Sequence, residues 1–508
     1  MTWLIGTILA TALVQQVQCG IDPWVSPEYK YIHQFPLPIP PIVVPLTSYT
    51  DANKTIDFYQ INIKKFDAQT YPDLNKTSYV GTPFDGWAED VTEAGQYKDY
   101  YYPNAQPQRT LWYHDHAIGI TAVNAYFGQA GFYILNDPNT DVGLPSGEFD
   151  IPLMIAAKQF LSDGKLLSPE LERVSLYGDV ITVNAQPWPY LSVKPRKYKF
   201  RILDASISRT YKLYLAADSD PTTRIPFTVV GADAGFLDHA VASTSLVIAM
   251  AERYEIVIDF AKYGGQNLTL MNERNWQTNP DYPATDRVLR FVVGAGPALP
   301  TTDPGNGALV DGAHLANLNV PNSAAHPVID HSFTFERTNG QWLINGVGFE
   351  NVPNRVLAFP KRGRVERWEL INTSGGWSHP IHIHLIDFQV VKRSGGRGAV
   401  EPYEAAALKD VVYLGMNEVV ANYAPWDGIY MFHCHNLVHE DHDMMAAFNV
   451  TDIDLSSYGY PDKVSFVDPM IQQFQAKPYS GTTDLAVVKN VTLRDFADLN
   501  AYPNGLAV

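Results

Sequence analysis

A chain of 508 residues is too long for one ordinary domain, and with 46% hydrophobic and 18% charged residues it has ample material for packed cores. A formal net charge of −17 and a pI near 5.2 argue against nucleic acid or an anionic membrane as a partner.

The chain opens on MTWLIGTILATALVQQVQCG. Its apolar run, Leu4 to Val14, has signal-peptide length and is too short to span a bilayer; Val17 and Cys19 can serve as the −3 and −1 residues of a cleavage site. Sequons at Asn53, Asn75, Asn267, Asn372, Asn449 and Asn490 fit a secreted, extracellular glycoprotein. Removal of residues 1–19 leaves Cys434 as the one cysteine, which cannot form an internal disulfide. A lone thiol in an oxidising compartment is a liability unless something occupies it.

The texture beyond is all-β. Runs such as FTVVGA, YEIVIDF, RFVVGA and FQVVKR alternate with Gly, Pro, Asn and Asp clusters, which predicts sandwiches or barrels of short strands. VNAQPWPYLSVKPRKYKFRILDAS and INGVGFENVPNRVLAFPKRGRVERWELINTS share a plan: an Asn-containing turn, a Pro, a basic patch, then an alternating strand. The repeat predicts similar β-domains at 150–300 and 320–460, linked by GAGPALPTTDPGNG. A first unit is expected over 20–140, closing near GQAGFYIL, and it lacks the equivalent segment. Residues 461–508 form a tail without a clear pattern.

With 14 histidines, H-x-H should arise about 0.4 times by chance, yet it occurs three times. The pairs are His114/His116, His382/His384 and His433/His435, each after a strand-like run. Side chains alternate faces along a strand, so each pair presents two imidazoles to one side. Cys434, between two histidines, points the other way, and His379 can do the same. His439 and Met444 follow on a loop. His379, Cys434, His439 and Met444 therefore form the donor kit of a blue-copper electron-transfer site with a weak axial thioether. Met445 competes with Met444, which could also be core filler. Structural zinc fits poorly with one cysteine. His442, and His33, His239, His314, His326 and His331, are expected to be ordinary.

TLWYHDH, HPIHIHL and HCHNLVHEDHDMM resemble three of the four copper-binding motifs of the multicopper oxidases. FDGWAED, KDYYYPN, NAQPWP, MAERYE and ERWELIN are similar to the fungal, bilirubin-oxidase-like members. The resemblance runs from about Phe84 to Tyr479. It implies three cupredoxin-like Greek-key β-sandwich domains, the first incomplete. It implies a type 1 copper at His379, Cys434, His439 and Met444, and a trinuclear cluster between the first and third domains. There His382 would bind type 2 copper; His116, His384 and His433 one type 3 copper; and His114 and His435 the other. Electrons from a small phenolic or tetrapyrrole donor would enter at type 1 copper and reduce O2 to water at the cluster, in a monomeric enzyme with no nucleic-acid or membrane partner. Asp85 resembles the family's proton-relay acid, although a turn Asp before Gly86 reads the same way. Glu440 is a second proton-supply candidate or a solvated acid. Trp377 is a substrate-edge aromatic or a core one.

One motif is absent. The fourth H-x-H should precede FDGWAED, but no histidine lies between His33 and His114. One type 2 and one type 3 ligand are therefore missing. Either an internal segment is omitted at the Val80–Thr82 junction, or the chain is a copper-binding electron-transfer protein with only a type 1 site. The first reading is favoured, because a unit without its core strands is hard to stabilise.

Overall fold

The computed structural model describes residues 21–451 and 476–498, apart from 52–53, 64–65, 69, 71–76, 80–86, 103, 105, 138–142, 278, 396–397, 425 and 427. The signal segment, Asn53, Asn75, Asp85, the Val80–Thr82 junction and the first part of the tail lie outside the described residues.

Strands dominate, and two β-sandwiches repeat one topology. In the first, the order Val180–Val183, Asp150–Lys158, Lys197–Asp204, Arg253–Asp259, Phe227–Ala232 builds one sheet. In the second, Gln341–Ile344, His331–Thr338, Val365–Asn372, Met416–Asn422, Phe388–Ser394 follow the same order. Each has one parallel pair at the same place, Asp150–Lys158 with Lys197–Asp204 and His331–Thr338 with Val365–Asn372. The facing sheets correspond as well. Tyr190–Val193 lies parallel to Arg287–Val293, as Val356–Ala358 lies parallel to Met445–Val450.

The repeat rests on a specific asparagine. Asn184 and Asn345 both sit at positive φ, 50° and 51°, a conformation asparagine tolerates better than most residues. Asn184 Oδ1 accepts from Met154 N at 2.8 Å, and Asn345 Oδ1 from Thr334 N at 2.6 Å. Aromatic rings close each core from both sheets: Phe200 lies 5.1 Å from Phe291, and Phe333 4.8 Å from Phe432. GAGPALPTTDPGNG is not a free tether: Asn306 is buried against the first sandwich and accepts from Lys197 N at 3.0 Å.

The N-terminal part differs. Its described strands form two-stranded pieces only: Thr47–Thr50 with Thr55–Phe58, Phe66–Ala68 with Thr77–Tyr79, Gln96–Tyr97 with Lys477–Pro478 of the tail, and Arg109–His114 with Ala130–Leu135. The last is wedged between the sandwiches. Arg253 Nε donates to Thr110 O at 3.0 Å, Thr110 Oγ1 to Glu255 at 2.8 Å, and Arg109 to Asp387 at 2.8 Å. This docking brings His114 and His116 to the second sandwich. Among the described residues, no helix is long and apolar enough to cross a membrane.

Candidate metal centre

Strand Gly428–Cys434 pairs with Pro380–Ile383 so that Cys434 lies opposite Ile381, and His433 opposite His382. Cross-strand partners share a face. Cys434 and Ile381 therefore enter the hydrophobic core, while the two histidines emerge on the other side.

On the core side, Cys434 Sγ lies 3.3 Å from His379 Nδ1 and 3.6 Å from His439 Nδ1, and the two nitrogens are 3.1 Å apart. All three residues are fully buried. Met444 shares their core cluster and its carbonyl accepts from Cys434 N at 3.0 Å, whereas Met445 packs with Met431 and Phe349 in a separate one. The outer nitrogen of His379 is committed: Nε2 lies 2.6 Å from Ser374 Oγ. That hydroxyl gives its own proton to Asn372 Oδ1 at 2.7 Å, and Asn372 Nδ2 donates to Trp377 O at 2.8 Å. His379 thus carries its proton on Nε2 and turns a lone pair toward the sulfur. Burial pushes His379 down to about 3, holds His439 well below its ordinary range, and drives the Cys434 thiol up. Two neutral imidazoles converging on a buried thiol, which would give up its proton to bind as thiolate, fit a soft or borderline cation.

The indole of Trp342 stacks on His439 at 3.7 Å between ring centroids and meets Trp377 edge-on at 6.1 Å. Its Nε1 donates to Arg173 O at 3.0 Å. QWLING gave no sign of this role. Asn436, whose backbone N–H points to Cys434 Sγ at 3.3 Å, was equally unflagged, although its place two residues past the cysteine was a usable signal.

On the other side, His433 Nε2 lies 3.0 Å from His116 Nε2 and 3.2 Å from His384 Nε2. Burial holds His116 and His433 near 3 and His384 well below its ordinary range, so all three are neutral. The Glu440 carboxylate spans their outer side, 2.9 Å from His433 Nδ1 and 3.4 Å from His116 Nδ1. Asp441 accepts from Thr121 N and Ala122 N, both at 2.9 Å, which ties the Glu440 segment to the His116 segment. A cavity of about 260 Å³, lined by Trp87, Ala88, Asp115, His116 and Ile120 among others, opens beside this group.

His114 and His435 face each other at 5.0 Å between ring centroids, with Trp112 stacked on His114 at 4.5 Å. His382 Nδ1 lies 2.8 Å from Asp410 O. These three supply no further set of three converging donors among the described residues. One metal ion fits His116, His384 and His433; a complete three-metal cluster does not fit the donors described. His442 Nδ1 is 2.6 Å from Val438 O, as an ordinary histidine.

Two multicopper oxidase family models match, over residues 322–454 and 79–140. The chain is 47% identical over 509 positions to bilirubin oxidase of Albifimbria verrucaria, covering 90% of this chain and 87% of that protein. The chain belongs to the multicopper oxidase family. Laccase of Bacillus subtilis is 34% identical over 415 positions, covering 73% of this chain and 77% of that one. The solved structure of McoA multicopper oxidase from Aquifex aeolicus superposes with a TM-score of 0.66 at 25% identity, covering 77% and 95%. Membership makes this multicopper oxidase a copper-dependent oxidoreductase with O2 as acceptor and small-molecule donors, and makes its sandwiches cupredoxin-like. An alignment of 509 positions that takes in 90% of 508 residues leaves roughly fifty positions with no residue of this chain. The N-terminal family match begins at residue 79, beside the Val80–Thr82 junction.

Proposed function

We propose that this multicopper oxidase is bilirubin-oxidase-like and takes electrons singly from phenolic or tetrapyrrole donors at a type 1 copper held by His379, Cys434, His439 and Met444. Copper bound there would supply the one-electron exchange; reduction of O2 to water at a trinuclear cluster would need, besides the histidines described, the two imidazoles that the chain as written lacks. The carrying observation is the alternation at Cys434: its sulfur faces one buried donor set, while its neighbour His433 faces another. Trp342 covers the donor-side histidines, Trp377, the candidate substrate-edge aromatic, packs edge-on against Trp342, and Glu440 orients His116 and His433. Type 2 copper would fall to His382 and the type 3 pair to His116, His384, His433, His114 and His435. Asp85 remains a candidate proton relay. The units run over 20–140, 150–300 and 320–460, with a tail to 508, in a secreted, glycosylated monomer.

The chain as written lacks one type 2 and one type 3 imidazole; the roughly fifty unmatched positions support an omitted segment, which we place at Val80–Thr82 because the N-terminal family match begins at residue 79. The second reading is a copper-binding electron-transfer protein with a type 1 site alone. Copper counting with an O2-uptake assay separates them. Blue protein from the natural source with four coppers and O2 uptake supports the oxidase, as does the absence of tryptic peptides crossing Val80–Thr82. Blue protein containing that junction, without O2 uptake, supports the second reading. Colourless, copper-free protein defeats both.

A further inference from the structure

The sulfur of Cys434 is reached from a distant part of the chain. Asn436 is buried and its N–H points at the sulfur. Its side chain is gripped at both ends by serines of the other sandwich. Ser208 Oγ donates to Asn436 Oδ1 at 3.0 Å, and Asn436 Nδ2 donates to Ser175 Oγ at 3.1 Å. Each hydroxyl is fixed in its role. Ser208 Oγ also accepts from Leu176 N at 3.0 Å, which leaves its proton for Asn436. Ser175 Oγ gives its proton to Val174 O at 2.6 Å, which leaves a lone pair for the amide. Leu437 N adds a bond to Ile207 O at 3.0 Å. The loop carrying the sulfur's hydrogen-bond donor is therefore docked on residues 174–176 and 207–208.

We infer that Ser208 and Ser175 are positioning residues that set the reduction potential of the copper at Cys434 by holding the Asn436 N–H on the sulfur. This rests on the type 1 reading above. Hydrogen bonds to a copper-bound cysteine sulfur are a recognised lever on potential. An N–H donor favours the electron-rich sulfur of the reduced state, so loosening it should lower the potential. Neither serine touches a copper donor, so the effect is transmitted across the interface between the sandwiches.

The test is a spectroelectrochemical titration of the copper-loaded full chain beside Ser208→Ala, Ser175→Ala, the double variant and Ser208→Thr. The expected result is unchanged copper content, a lower midpoint potential in each alanine variant and the largest shift in the double variant. Ser208→Thr, which keeps the hydroxyl, should recover much of the shift. A double variant with full copper content and an unmoved potential overturns the inference. If Ser208→Ala fails to fold, Ser175→Ala decides alone: it lies at the half-buried rim, and an unmoved potential there overturns the clamp. Failure of the unmodified chain to take up copper or to show a blue band would instead overturn the type 1 reading.

Discussion

Cys434 and His433 are adjacent residues committed to different donor groups: Cys434 Sγ lies 3.3 Å from His379 Nδ1, while His433 Nε2 lies 3.0 Å from His116 Nε2. The peptide unit between them is the short covalent link from one donor group to the other. It exists because consecutive side chains on a strand point to opposite faces.

Replacing Cys434 with serine keeps the backbone and removes the soft donor. The copper-loaded variant should lose its intense blue absorption and its capacity to accept an electron from a small donor, read by visible spectroscopy and stopped-flow reduction. Folding should survive with a loss of about 1–3 kcal/mol, because a hydroxyl is buried in an apolar core in place of a thiol. A coloured, reducible serine variant would remove the sulfur from the mechanism.

Glu440 sits behind two histidines, so its carboxylate orients their rings. Carboxylates that hold the outer nitrogen of a ligand histidine typically contribute about 10–100-fold in metal affinity. Glu440→Gln should lower metal retention on the histidine side by that order, while the blue band at Cys434 stays. Metal analysis after dialysis against a mild chelator reads the effect. A variant that keeps its full metal content but consumes O2 slowly would assign Glu440 to proton delivery alone.

Much of this arrangement was legible in advance because it depends on period-two alternation. That His433 and His435 point one way and Cys434 the other follows from strand parity; the register that sets His382 opposite His433 does not, and only the fold shows it. The Asn184 and Asn345 turns were visible as a repeat, since both carry the same φ-tolerant residue at the same point. Trp342, Ser208 and Ser175 were not legible. They reach the site through contacts between residues far apart in sequence, such as Ser208 with Asn436, and local periodicity carries no record of those. The linker reading of GAGPALPTTDPGNG missed its docking for the same reason: Asn306 finds Lys197 in another segment.

Asn372 heads a sequon, yet its side-chain amide is fully engaged between Ser374 and Trp377. A glycan on Asn372 Nδ2 would replace one of its two N–H groups and crowd the bond that the other makes to Trp377 O, and so would disturb the proton order at His379. Asn267 and Asn490, by contrast, are exposed. Glycopeptide mapping of protein from the natural source should find Asn372 bare, with any glycan at the exposed sites. Full occupancy at Asn372 in blue, active protein would show that the Ser374 relay does not constrain His379.

Lys409 is wholly buried, with Nζ 2.8 Å from Asp233 and 3.2 Å from Glu252, both also wholly buried. Its neighbour Asp410 pairs with Arg253 of the first sandwich at 2.6 Å and offers its carbonyl to His382. Charges this deep are costly to strand alone, and removing one partner of such a group costs about 3–5 kcal/mol. Lys409→Met keeps most of the volume but removes the cation shared by two buried carboxylates, of which Asp233 keeps a longer ion pair with Arg253 at 3.7 Å, so urea denaturation of the metal-free chain should report a loss of that order. Lys165, which pairs with Asp163 on the surface at 2.8 Å, provides the contrast: Lys165→Met should shift stability by no more than about 0.5 kcal/mol. Equal small losses for both would mean that water reaches the Lys409 cluster and that the interface between the sandwiches is looser than its ion pairs imply.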